Sequence, residues 1–192
     1  MEIMKVSKRD MSIKAKKLRQ QGLVPGNVYG GNLQETVLIQ MDQNEASRLV
    51  AKNRIGSRLT LMLDEKKLPV QIKDKDVDSQ TGTLRNVSFQ ALAADQKVNS
   101  VITLMIKNFE KVAGMREFML TEIPYAALPC DMIDVLEIDM EGMKAGTVVT
   151  VADIPELNSD KLEIQVDKDE IILRITDPKH TAPAEDAAEA VE

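Results

Sequence analysis

Leu59-Thr-Leu-Met-Leu63-Asp-Glu-Lys-Lys-Leu68-Pro-Val-Gln-Ile-Lys-Asp-Lys-Asp-Val-Asp78 decides the fold of this chain. Two apolar runs, Leu59–Leu63 and Leu68–Asp78, bracket the polar turn Asp64-Glu-Lys-Lys67, the pattern of a β-hairpin. Ser79-Gln-Thr-Gly82 supplies the next turn, and Leu84–Leu92 reads as a third strand. On the N-terminal side, Glu2–Val6, Asn27–Gly30 and Thr36–Met41 read as further short strands, the last two joined through a Gly-Gly-Asn turn. Two helices interrupt them. Ser12 is a candidate N-cap for the first, with Gly22 as its terminator and Pro25 blocking continuation. Asp42-Gln-Asn-Glu45 has capping-box spacing for the second, which would run to about Lys52 and bury Ala46, Leu49 and Val50. Strands dominate and no βαβ rhythm appears, so a small mixed β-barrel is favoured over a doubly wound sheet.

Farther along, Ala93-Ala-Asp-Gln-Lys97 is a polar break. Alternating strands follow at Val98–Lys107, Glu117–Ile123, Val135–Met140, Val148–Val151, Lys161–Val166 and Glu170–Thr176. The chain is therefore mainly β: a barrel domain (1–93), an all-β domain (94–177) and a disordered acidic tail (178–192) rich in Ala, Glu and Pro. With 192 residues, 43% hydrophobic content, 3% aromatics, 11 Met and no Trp, the cores must be aliphatic. No window approaches a membrane span, the start lacks a signal peptide's apolar region, and a single cysteine suits a reducing compartment. The expectation is a soluble, cytoplasmic protein.

The net charge of −6 conceals a division. Residues 1–93 hold 16 Lys and Arg against 10 Asp and Glu, a balance of +6; residues 94–192 hold 9 against 21, a balance of −12. The first half suits a polyanionic partner. The cations concentrate in Lys14-Ala-Lys16-Lys17-Leu-Arg19, four in six residues, on a helix whose apolar side holds Ala15 and Leu18. Such cations can neutralise phosphates, and Tyr29 on the following strand can stack on or hydrogen-bond to a nucleotide. A solvated helix beside a core or turn tyrosine is the competing reading, and spacing alone does not separate the two.

Enzyme chemistry finds no constellation. The one histidine, His180, falls in the tail, so Ser-His and Cys-His catalysis lack their usual base. Cys130 has no second thiol and reads as structural. Asp74-Lys-Asp76-Val-Asp78 resembles the start of a calcium loop, but Ser79 and Arg85 stand where the loop needs Gly and Glu. No phosphate loop or dinucleotide fingerprint occurs. No cofactor, metal or small-molecule substrate is expected.

The run Lys16-x-Leu18-Arg19-x-x-Gly22-x-x-Pro25-x-x-x-Tyr29-Gly30 resembles the opening signature of the bacterial large-subunit ribosomal protein twenty-five family, in its longer Ctc (general stress protein) form. The resemblance continues through Ile72-Lys-Asp74-x-x-x-Asp78, the strand ending in Phe89, Leu128-Pro-Cys-Asp131, Leu136-Glu-Ile-Asp139-Met-x-x-Met143-x-x-Gly146 and Val149-Thr-Val-Ala-Asp153-Ile154, and covers nearly the whole chain. It implies a non-catalytic ribosomal protein that binds 5S ribosomal RNA through its N-terminal barrel, in the central protuberance of the large subunit. Carried over by position, it implies RNA contacts from Arg9, Arg19, Tyr29 and Lys73, with Lys14, Lys16 and Lys17 supporting through phosphates. Where the family usually ends its barrel with His-Val-Asp-Phe, this chain has Asn86-Val-Ser88-Phe89. Asn86 keeps a donor and an acceptor but loses the ring and any positive charge, and Ser88 lacks a carboxylate's paired acceptors. Each lost contact would be worth about 1–3 kcal/mol. That departure motivates an alternative, a divergent stress-linked interaction protein with weak or no stable 5S rRNA binding.

Overall fold

The computed structural model describes residues 2–112, 114–159 and 161–177. His180 and the expected tail lie outside the described residues. Residues 3–91 form a closed six-stranded barrel with two helices. Its strands are β1 (Ile3–Lys8), β2 (Leu23–Tyr29), β3 (Val37–Asp42), β4 (Arg58–Leu63), β5 (Lys66–Val77) and β6 (Leu84–Ala91), in spatial order β1-β3-β2-β6-β5-β4. Parallel pairing of β1 with β4, from Ile3↔Thr60 to Val6↔Leu63, closes the ring. β2 is also parallel to β6, and the remaining pairs are antiparallel, so the barrel is mixed. Inward residues alternate along each strand, and Val24, Val28, Ile39, Leu61, Val70, Ile72, Val87 and Phe89 are fully buried in one cluster. Gly26 is dictated by this closeness, since a Cβ there would meet both Val87 O and Met41 Cε at 2.8 Å.

The hairpin is tighter than its sequence suggests. Lys66 and Lys67 join β5, leaving a two-residue turn at Asp64 and Glu65, whose φ values are +47° and +68°. Such a turn matches the strands' right-handed twist. Helix α2 (Gln43–Lys52) starts as expected: Asp42 Oδ1 accepts from the N–H groups of Asn44 (2.9 Å) and Glu45 (3.1 Å), and Ala46, Leu49 and Val50 are buried. A cap of this kind contributes about 1 kcal/mol.

Helix α1 (Ala15–Gln20) departs from expectation at its start. Lys14, not Ser12, occupies the cap position, with no side-chain cap bond. Ser12 instead donates through N–H (2.9 Å) and Oγ–H (2.7 Å) to Asp10 Oδ1, because a carboxylate two residues upstream outcompetes the helix for both donors. These bonds hold the Asp10 carboxyl below its usual range. Gly22, at φ +76°, follows the helix end.

Beyond Leu92 two small sheets enclose a second core. One has the order β10 (Val135–Asp139), β7 (Val98–Lys107), β9 (Glu122–Ala127), β12 (Glu163–Ile164); the other is β11 (Val148–Thr150), β13 (Ile171–Thr176), β8 (Met115–Phe118). The single strand expected at Glu117–Ile123 is two. The chain leaves β13 at Met119, whose N–H donates to Ile172 O, and joins the other sheet by Thr121, whose carbonyl accepts from Leu104. The expected strand Lys161–Val166 shrinks to two paired residues, and single 3-10 turns stand at Phe109–Lys111, Val151–Asp153 and Pro155–Asn158. Tyr125 is fully buried, its hydroxyl donating to Ile133 O and accepting from Ile133 N–H, both at 2.9 Å. Burial pushes that phenol above its ordinary pKa.

The barrel and the two-sheet half meet through polar groups. Arg58 Nη1 donates to Pro129 O at 2.8 Å, and its Nε lies 3.7 Å from Asp134 Oδ1, an ion pair beyond hydrogen-bonding distance. Gln71, fully buried, donates through Nε2 to both Gln90 Oε1 (2.9 Å) and Asn99 O (3.0 Å). Gly56 sits against β7, where a Cβ would come within 2.8 Å of Ser100 Oγ and 3.0 Å of Val101 O.

Candidate nucleic-acid interface

The inward alternation of β2 and β6 turns their remaining residues outward. Asn27 and Tyr29 on β2 lie beside Ser88 and Gln90 on β6, in the registers Asn27↔Ser88 and Tyr29↔Gln90, and Asn86 extends the row. Ser88 Oγ donates to Asn27 Oδ1 at 2.9 Å, which orients the Asn27 amide so that its NH2 group faces away from that bond. Tyr29, Asn86 and Ser88 are half-buried, their polar ends within reach of a ligand on the barrel wall.

Helix α1 packs beside β2 and brings the cations to this wall. Leu18 is buried, although it lies outside the barrel's inner cluster. Lys14, Lys16 and Lys17 are exposed and form no ion pair among the described residues. Arg19 turns back, donating from Nη1 to Arg85 O at the start of β6 (3.3 Å). The helix thereby sits at the end of the β2–β6 pair where β6 begins, and Tyr29 lies toward the other end of the same face.

The other two predicted contacts are engaged by the protein. Arg9 Nη2 reaches Ile13 O at 3.4 Å, so this side chain braces the loop before α1, while its Nε is buried without a protein partner. Lys73 Nζ donates to Asn99 O at 3.2 Å, at the seam between the barrel and β7. Asp74 and Asp76 project from β5 opposite Ser88 and Asn86, exposed. An approaching polyanion is thus attracted by the lysines of α1 and repelled by Asp74 and Asp76.

Sequence reading missed Asn27, although its place two residues before Tyr29 puts it on the same strand face. It also missed Arg85, whose position depends on a β-bulge with no local signature. Among the described residues no cluster of three or more His, Cys, Asp or Glu side chains could hold a metal ion, and no helix is long and apolar enough to cross a membrane.

Comparison with known proteins accounts for this architecture. Residues 4–89 match the Ribosomal L25p family, and residues 97–179 match the C-terminal domain of ribosomal protein TL5. A relative in Alteromonas mediterranea, named large ribosomal subunit protein bL25, is 30% identical over 146 residues, covering 73% of this chain and 69% of the relative. The chain belongs to the bacterial bL25 family. It has the long form, in which a second domain follows the barrel. Proteins of the same name in Methylobacillus flagellatus (27% identical; 91% of this chain, 87% of the relative) and Dictyoglomus thermophilum (27%; 91% and 89%) match along nearly its whole length. The bL25 proteins are structural components of ribosomes, and this chain is accordingly not an enzyme. The stress-linked alternative gains no support from these relatives.

Proposed function

We propose that this protein is a large-subunit ribosomal component that binds 5S rRNA in the central protuberance, working in the cytoplasm. The observation that supports this best is the shared outer face of β2 and β6, where Asn27, Tyr29, Asn86 and Ser88 lie in register with the cations of α1 alongside. A-form RNA offers a wide, shallow minor groove with ribose hydroxyls, which short polar groups and a tyrosine on a barrel wall can reach. Lys14, Lys16, Lys17 and Arg19 would neutralise the flanking phosphates. Arg9 and Lys73 would contribute mainly by holding the surface in shape, given their protein partners. Residues 1–93 would form the RNA-binding domain and residues 94–177 a second domain.

The test is a filter-binding titration of the full chain against 5S rRNA with salt varied. Binding should weaken as salt rises and after Arg19→Ala, and should exceed binding to an unrelated structured RNA. Equal affinity for both RNAs would overturn the assignment.

A further inference from the structure

The β5–β6 ladder contains two bulges, and each extra residue is a cation. Between Ile72↔Phe89 and Asp74↔Ser88 the extra residue is Lys73 on β5; between Asp76↔Asn86 and Val77↔Leu84 it is Arg85 on β6. Bulges re-aim side chains at functional edges. Lys73 is consumed at the seam with β7. Arg85 is exposed, at the end of β6 that α1 adjoins.

Its guanidinium is also held. Asp78 Oδ1 accepts from the N–H groups of Gln80 (2.9 Å) and Thr81 (3.4 Å), fixing the carboxylate in the β5–β6 turn. Asp78 Oδ2 then takes Arg85 Nη2 at 2.5 Å. Among the described residues this bond uses Nη2 alone, leaving the other guanidinium donors for a ligand. Arg19 Nη1 donates to the backbone carbonyl of the same Arg85, which brings the Arg19 side chain to the bulge. Bidentate arginines suit phosphate geometry, and holding them in advance reduces the ordering cost of binding.

We propose that Arg85 is a further RNA contact, positioned by its bulge and by Asp78, and that with Arg19 it forms a two-arginine clamp for one backbone phosphate. This rests on the RNA-binding reading above. It places the clamp at the α1 end of the β2–β6 face, beside the Asn86–Ser88 row.

The experiment measures affinity of the full chain for 5S rRNA, and for an unrelated structured RNA, across a salt series. Arg85→Ala should weaken 5S rRNA binding about three- to tenfold and flatten the slope of log affinity against log salt by about 0.7–0.9, the loss of one phosphate contact. Arg174→Ala removes an equal charge from an exposed position on β13 and should change neither quantity. Arg85→Lys should keep the slope but lose affinity, and it also replaces Arg85→Ala should that variant melt early. Asp78→Asn keeps the turn acceptor but loses the lock, so it should weaken binding despite deleting a negative charge; tighter binding would overturn the positioning role. If Arg85→Ala behaves like Arg174→Ala while Arg19→Ala still weakens binding, the clamp is refuted and the RNA reading stands. If the wild type shows no 5S preference, the RNA reading fails, and the Arg85 slope on either RNA still decides the clamp.

Discussion

Replacing Arg58 with alanine tests the seam between the two halves. The side chain donates to Pro129 O at 2.8 Å and stands 3.7 Å from Asp134 Oδ1, with a quarter of its surface exposed. A hydrogen bond from a charged donor contributes about 1.5–3 kcal/mol. The ion pair adds little at this distance, and Asp134, at 34% exposure, is partly screened by water. Arg58→Ala should therefore cost about 2 kcal/mol at neutral pH, lowering Tm by roughly 4–8 °C for a chain of 192 residues.

The pH dependence follows from Asp134. Burial raises its carboxyl above the ordinary 3.8, and Arg58 opposes that rise. A raised carboxyl favours the protonated folded state, so this group's contribution is fullest below the unfolded value and falls as pH rises through the folded value. Without Arg58 the rise is larger, so the deficit of Arg58→Ala should be greater at pH 7 than near pH 4. Adding Asp134→Asn should recover about 1 kcal/mol of it, by removing a half-buried charge left without its partner. Urea unfolding at both pH values gives all the quantities. A deficit that is independent of pH and unrelieved by Asp134→Asn would refute the coupling.

Leu18→Ala should destabilise by about 2–3 kcal/mol, the low end for a buried leucine, and should weaken 5S rRNA binding as α1 loosens; thermal melts and filter binding check both. Replacing the turn residues by Asp64→Asn with Glu65→Gly should stabilise by about 1 kcal/mol in urea unfolding, because both positions have positive φ. Asn86→His with Ser88→Asp should tighten 5S rRNA binding at least threefold in the same titration. The Asn27 amide can rotate to donate to the new carboxylate, so Tm should stay near that of the parent.

Much of the barrel was legible because its signals are local. Asp42 with Ala46, Leu49 and Val50 marks α2 by cap and spacing, and the alternation through Leu59 and Val70 marks the hairpin. Ring closure was not legible strand by strand, since Ile3↔Thr60 and Asn27↔Ser88 join residues about 60 apart with no adjacent turn to betray them. The split between β8 and β9 was hidden for a related reason: period-two alternation shows which face is buried, not which sheet owns the strand. Ser12 misled because capping preference ignores a better acceptor at Asp10. In the proposed site, Lys16 and Lys17 stand out by residue type, whereas Asn86 and Ser88 are reached only through the family resemblance. Arg85 could be read from neither, since a bulge shifts register without a composition of its own.

The strand order also sets a timetable. β2 and its helix emerge early in synthesis, but the neighbour that completes their outer face, β6, ends only at Ala91. Until the β5–β6 hairpin docks, the nascent chain carries the basic helix without Asn86, Ser88 or Arg85 beside it. An unfinished copy thus holds only a charged fragment of the proposed RNA surface, and the full surface serves as its own proof that the barrel is complete.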